Sequence, residues 1–129
     1  MKTFSVSTNS RTEMIDITSK VQEALRESDR RDGLCCVYVP HTTAAVTINE
    51  SADPSVAKDI VGELNKVIPF SDNYSHAEGN SAAHIKSSIV GCGVTIPVEN
   101  GRMSLGTWQG IFFCEFDGPR SRKVKVTFR

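Results

Sequence analysis

Apolar residues recur along the chain with two different periods, and the switches between those periods divide it into segments. "TFSVST" and "EMIDIT" alternate residue by residue, as strands with one buried face do. Val21, Ala24 and Leu25 then recur at helical spacing. They lie behind a Ser19 and Gln22 pair that fits a capping box and ahead of Asp32-Gly33, so a helix of about ten residues is expected there. "LCCVYV" is a continuous apolar run of the buried-strand kind, closed by Pro40, and "AAVTIN" forms a strand after His41-Thr42-Thr43. A second helix begins at Asp53-Pro54, cap and first-turn proline together, and Val56, Ile60, Val61 and Leu64 carry its apolar face toward Pro69. Residues 70–80 are polar and aperiodic. A short third helix, capped by Asn80 or Ser81, places Ile85 and Ile89 one turn apart and ends at Gly91.

The rest of the chain reads as β. "GVTIPVE", "RMSLGTW", "GIFFCEF" and "RKVKVTFR" are four strand-like segments. The first two are joined through Asn100-Gly101, a strong hairpin signal, and the last two through Asp117-Gly118-Pro119-Arg120, so an antiparallel C-terminal sheet is expected. Pro97 consigns its strand to an edge or a bulge. Strands and helices are segregated more than they alternate, which makes the class α+β: a single compact domain over residues 1–129, with mixed or antiparallel sheet layers and two to three helices.

Charge and cysteine usage narrow the function. Fifteen basic residues balance fifteen acidic ones, with clustering only at the basic end from Arg120 to Arg129, so neither nucleic acid nor a membrane surface is indicated as a partner. No apolar run approaches the roughly 20 residues that span a bilayer and no signal-peptide core is present, so a cytoplasmic location is expected. Four cysteines without a CxxC pair agree, and Cys35 and Cys36 should point to opposite faces of one strand. They read as reduced, structural thiols, with one of them a candidate fourth metal ligand.

The three histidines carry the candidate chemistry, because each sits where regular structure breaks: His41 before two threonines, His76 near Glu78 and Asn80, His84 at a helix start. Three neutral imidazoles can hold a divalent ion such as zinc and leave one position open. The same region offers anion chemistry, since Gly79-Asn80-Ser81 opens a helix N-terminus and Lys86 or Arg120 adds charge; a helix cap alone explains that turn equally well. Glu50, Asp53 and Asp59 are candidate acid/base groups or partners that orient a histidine, although Asp53 is also an N-cap. Trp108, between Thr107 and Gln109, suits a core or an interface better than a stacking platform.

Taken together, "HTTAAVTINE", "HAEGNSAAHIKSS" and "LGTWQGIFFCEFDGPR" resemble the YjbQ family, small proteins known as secondary thiamine-phosphate synthases. The resemblance spans essentially the whole chain, with Ser81 standing where a small apolar residue is expected. It implies an α+β homotrimer with a polar pocket that takes a small phosphorylated or anionic metabolite. His41, His84 and Glu50 then fall to catalysis and His41, His76 and His84 to a divalent metal. Thr42, Thr43, Asn80, Ser81, Lys86, Thr107, Gln109 and Arg120 fall to substrate contact, with Glu78 on a further motif position. The implied reaction joins a pyrimidine diphosphate to a thiazole phosphate and releases pyrophosphate. At 129 residues the chain is too short for the (β/α)₈ barrel of dedicated thiamine-phosphate synthases, which needs upwards of about 200. Its phosphate-binding equipment is thin for two substrates, so a weak synthase is expected. A metal-dependent hydrolase of a phosphorylated metabolite and a non-catalytic metabolite-binding trimer are the alternatives.

Overall fold

In a computed structural model describing residues 1–129, these periods become eight strands and three helices. In chain order they are β1 (Lys2–Ser7), β2 (Glu13–Asp16), α1 (Thr18–Glu27), β3 (Gly33–Tyr38), β4 (Ala44–Glu50), α2 (Pro54–Val67), α3 (Ser81–Val90), β5 (Gly93–Glu99), β6 (Arg102–Met103), β7 (Gln109–Glu115) and β8 (Ser121–Phe128). Five strands form one sheet in the order β1-β8-β3-β5-β6, and three form another in the order β2-β7-β4. Every pairing is antiparallel.

Alternation along each strand sorts its side chains between a buried face and an outer one. Val124 and Val126 of β8, Val37 of β3 and Ile96 of β5 meet Val46 of β4 and Ile111 and Phe113 of β7, closing a sandwich. α1 completes this core with Val21, Ala24 and Leu25. The other face of the three-stranded sheet carries Ala45, Cys114 and Phe116, over which Ala83 of α3 packs. Cys35 is buried and Cys36 only half so, as strand alternation requires, and all four thiols are free. Burial lifts the Cys35 pKa to about 11, with Cys36 adding to the effect, and lifts that of Cys114 to about 12, so neither is a ready thiolate.

Several local expectations change once long-range contacts are in place. α1 has no capping box: its cap residue Ile17 has no side-chain bond to offer, and Asp16 instead accepts from the Thr18 backbone N–H and hydroxyl at 2.9 and 2.6 Å. β6 is only two residues long, and Thr107-Trp108 lie in a turn that leaves Trp108 exposed. β7 and β8 do not pair. The Asp117-to-Arg120 turn carries the chain from one sheet to the other, so there is no separate C-terminal sheet. The hairpin at Asn100-Gly101 does form, both residues having positive φ, and Pro97 sits near the edge of its sheet beside that short β6.

α2 begins as expected, with Asp53 accepting from the Ser55 N–H at 2.9 Å and Pro54 next to the cap. Yet none of its residues is buried. An apolar groove of about 370 Å³, walled by Met14, Ile60, Leu64, Ile89, Val90 and Phe116, runs beneath it. No helix of the chain is long and apolar enough to cross a membrane. Phe113, on the central strand of the smaller sheet and fully enclosed, is the core's test residue: Phe113→Ala should cost about 3–5 kcal/mol in denaturant unfolding.

Candidate functional site

At one end of the sandwich the inward-facing positions turn from apolar to charged. Glu115, two residues on from Phe113 along β7, faces Arg122, two residues before Val124 on β8; both are almost completely buried. Arg122 Nε donates to Glu115 Oε1 at 2.9 Å and Nη2 to Oε2, while Nη2 also reaches the Thr43 hydroxyl at 2.9 Å and the Thr43 carbonyl at 3.2 Å. The carboxylate further accepts from the Thr8 hydroxyl at 2.8 Å and the Asp117 N–H at 3.0 Å. Burial by itself pushes the Glu115 carboxyl up, but the bonds from Arg122, Asp117 and Thr8 outweigh it and hold the pKa below its ordinary value.

The turn that follows Glu115 carries this network to the surface. Gly118 has no room for a side chain, since a Cβ would come within 2.3 Å of the Ser10 carbonyl oxygen. The backbone N–H of Arg120 donates to the Thr8 hydroxyl at 2.8 Å. The Arg120 guanidinium returns to Asp117, with Nε on the backbone carbonyl at 2.9 Å and Nη2 on the carboxylate at 3.0 Å. Asn80, at the cap of α3, donates its Nδ2 to the same carboxylate at 3.1 Å, while its Oδ1 is buried without a partner. Asn80 is thus the cap residue, as expected, but its side chain serves the β7–β8 turn instead of the helix.

His41 lies against β8, where its Nε2 accepts the Lys123 backbone N–H at 2.9 Å. That bond places the proton of the neutral ring on Nδ1. Burial first, then the nearby Arg122 guanidinium, lower the His41 pKa from its ordinary 6.5. The ring is therefore a neutral imidazole with one N–H to donate. His76 and His84 form a separate pair, ring centroids 5.4 Å apart and edge to face, in a shallow pocket with Tyr74, Ser75, Ser81 and Ile85. Glu78 approaches His76 Nε2 at 3.6 Å.

One chain does not assemble the three-histidine metal set. Nowhere do three or more His, Cys, Asp or Glu side chains stand close enough to hold one metal ion, and His41 has committed Nε2 to the backbone. Lys86, expected to reach a phosphate, is fully buried: its amine donates to Asn65 of α2 at 2.6 Å and lies 4.4 Å from the centre of the Phe70 ring. Burial, then Arg11, lower its pKa. The Thr43 hydroxyl is taken by Arg122, while Thr42 stays exposed beside it. Glu50 pairs with Gln109 at the far end of the β4–β7 ladder from the Ala44–Glu115 pair, with Thr107 in the adjoining turn. Six strand steps at about 3.3 Å put roughly 20 Å between those ends. Glu115, Arg122, Asp117 and Thr8 are the residues that sequence reading overlooked; their signal is parity, each charged residue of the buried pair lying in step with inward valines or phenylalanine.

Replacing Arg122 with Met strands the Glu115 charge and should cost about 3–5 kcal/mol in urea unfolding, whereas changing both residues to apolar ones should cost much less. Glu115 has a folded pKa below its ordinary 4.5. Its contribution is therefore complete above that pH and drains away as pH falls through the lower folded value, a loss that Glu115→Gln should remove from the stability-versus-pH curve. An NMR titration should find His41 protonating below pH 6.5.

Comparison with other proteins places the chain in a known group. A family model described as UPF0047 protein YjbQ-like matches residues 2–129. The chain is 55% identical to a UPF0047 protein of Methanocaldococcus jannaschii over 123 residues, covering 95% of this chain and 89% of the relative. It is 53% identical to the UPF0047 protein YugU of Bacillus subtilis over 127 residues, covering 98% and 96%. A crystal structure of an uncharacterized conserved YjbQ/UPF0047 protein from Clostridium acetobutylicum superposes with a TM-score of 0.98 at 51% identity, both chains being covered in full. A conserved hypothetical protein from Thermus thermophilus gives 0.93 at 41%, again with full coverage of both chains. With its whole length, fold and sequence matched in this way, the chain belongs to the YjbQ/UPF0047 family.

Proposed function

We propose that the chain is one subunit of a homotrimer that binds a small phosphorylated or otherwise anionic metabolite where the start of α3 meets the β7–β8 turn. We further propose that it joins a pyrimidine diphosphate to a thiazole phosphate only as a slow activity. The observation that carries this reading is the hydrogen-bonded run from Asn80 through Asp117 to Arg120, which fixes a half-exposed guanidinium beside a helix start. Such a guanidinium is suited to a phosphate oxygen. Neutral His41 adds an Nδ1–H donor in the same part of the fold, and two donors of this kind stabilise charge that grows on a departing pyrophosphate. His84 is the candidate for moving a proton.

The trimer supplies what one chain separates. Glu50, Thr107 and Gln109 lie at the opposite end of the small sheet from Arg120, so a pocket using both groups takes them from different chains. The exposed apolar side chains Ile89 and Val67 and the groove beneath α2 are surface that a neighbouring copy would cover. A divalent ion such as zinc would find two imidazoles in His76 and His84 and need its third ligand from that neighbour.

Holding two reactants in register lowers a barrier by up to about 7–11 kcal/mol, and a site that grips one phosphate group well forgoes most of that. The coupled reaction should therefore run with kcat/KM below about 10⁴ M⁻¹s⁻¹ and be lost in His41→Ala and His84→Ala. A value at or above that level would make thiamine phosphate synthesis the main role. Phosphate release that depends on added metal, without coupled product, would mark a hydrolase; ligand binding with no turnover would mark a non-catalytic binding protein. Light scattering at micromolar protein should give about three times the 14.1 kDa chain mass, and a monomer would remove the basis for a shared pocket.

A further inference from the structure

Far from these residues in the chain, the end of α1 and the β5–β6 hairpin enclose a cleft of about 670 Å³. Four arginines line it: Arg26 in the last turn of α1, Arg30 and Arg31 in the connection that follows, and Arg102 on the hairpin. Asp29 is the only acidic residue in the lining. No carboxylate lies within 4.0 Å of any of the four guanidinia, the chain's ion pairs being Lys2–Glu27, His76–Glu78, Arg120–Asp117 and Arg122–Glu115. Like charges in solvent are ordinarily dispersed or interleaved with acids, so four unpaired guanidinia around one hollow call for a partner.

Hydrogen bonds tie the walls of the hollow together. Gln22 of α1 clamps the hairpin through two bonds, Nε2 to the Gly101 carbonyl at 3.1 Å and the Met103 N–H to Oε1 at 3.3 Å. The Gly101 N–H donates to the Arg31 carbonyl at 2.8 Å, and the Asn100 N–H to Asp32 at 3.3 Å. Gly101 has a φ of 76°, and a Cβ there would sit 3.2 Å from Arg31 Nη1, so glycine serves both the turn and the placement of that guanidinium. Helix-end electrostatics account for Arg26 alone, because the favourable field at a C-terminus falls off within the last turn. Asp29, Asp32 and the half-charge at the helix end offset part of the four positive charges, leaving roughly one to two for a ligand.

We infer that this cleft is a binding site for a small oligophosphate, recognised through its phosphate chain. Its volume lies within the range of small-molecule pockets, about 300–1,000 Å³. Only one hydrophobic residue, Leu25, lines it and no aromatic side chain does, so a nucleobase finds no aromatic surface to stack on. The zero net charge of the chain also argues against a nucleic-acid backbone as the ligand. This site shares no residue with the Arg120 pocket and stands independently of the function proposed for it.

Calorimetric titration of the full-length protein with tripolyphosphate, pyrophosphate and orthophosphate at low salt tests the inference. Affinity should rise in the order orthophosphate, pyrophosphate, tripolyphosphate, and fall as ionic strength goes from 0.01 to 0.15 M and the screening length shrinks from about 30 to about 8 Å. Arg30→Gln or Arg102→Gln should each weaken tripolyphosphate binding about tenfold, with the double variant losing it. These side chains are exposed, so the variants should melt with the parent, and the Gly101 amide resonance should shift on titration only in the parent. Arg120→Ala should leave the affinity unchanged. A nucleoside triphosphate should bind no more tightly than tripolyphosphate. No heat of binding at low salt, binding lost in Arg120→Ala but kept in the Arg30/Arg102 double variant, or a preference of tenfold or more for the nucleoside triphosphate or a single-stranded oligonucleotide would each overturn it.

Discussion

The sandwich is strapped at one end by an ion pair that neither sheet contains alone. Arg122 belongs to the five-stranded sheet and Glu115 to the three-stranded one, and both are sealed from water. Desolvating two charges is expensive, and saturation offsets that cost here: the carboxylate accepts from Arg122, Thr8 and Asp117, and the guanidinium also reaches Thr43. Each of these bonds ties a different chain segment to the pair. Thr43 close after His41, the residue after β1 and the start of the β7–β8 turn therefore have fixed positions relative to one another, and the polar surface above inherits that geometry.

Legibility in the sequence follows the range of the interactions concerned. The second helix, the Asn100-Gly101 hairpin and the stop at Gly91 rest on contacts between near neighbours, and all three are present. The distribution of strands between two sheets is a long-range choice, and the Asp117-Gly118-Pro119-Arg120 turn has the same chemistry whether it closes a hairpin or crosses a sandwich. Asn80, His76 and His84 stand out because they interrupt regular structure. Glu115 and Arg122 are hidden in strands where a charged residue reads as an outward one, and only their parity with Phe113 and Val124 gives them away. The arginine cleft is hidden differently: Arg30 and Arg31 are flanked in sequence by Asp29 and Asp32, so the local charge balances, and folding then brings Arg102 to them from the other half of the chain.

Lys86 illustrates how packing reassigns a residue. At the sequence level it adds charge to a helix start, but its position on α3 turns it toward α2, where Asn65 and the Phe70 ring take its amine. It links the two outer helices across the face of the small sheet. The same face leaves α2 without a buried residue, whereas α3 buries Ala82 and Ala83, so α2 is the more loosely packed of the two helices beside a partly apolar groove.

The tethering of Arg120 bears on how quickly a ligand is captured. Nε and Nη2 are already engaged with Asp117, which is itself held by Asn80 and by the Glu115 carboxylate through its backbone N–H. An anion arriving at such a guanidinium meets a side chain already oriented by two hydrogen bonds, on a turn that joins the two sheets. Under the binding role proposed for Arg120, capture would need no closing step and its rate would be governed by encounter and electrostatic attraction, leaving discrimination between ligands to how fast each one leaves.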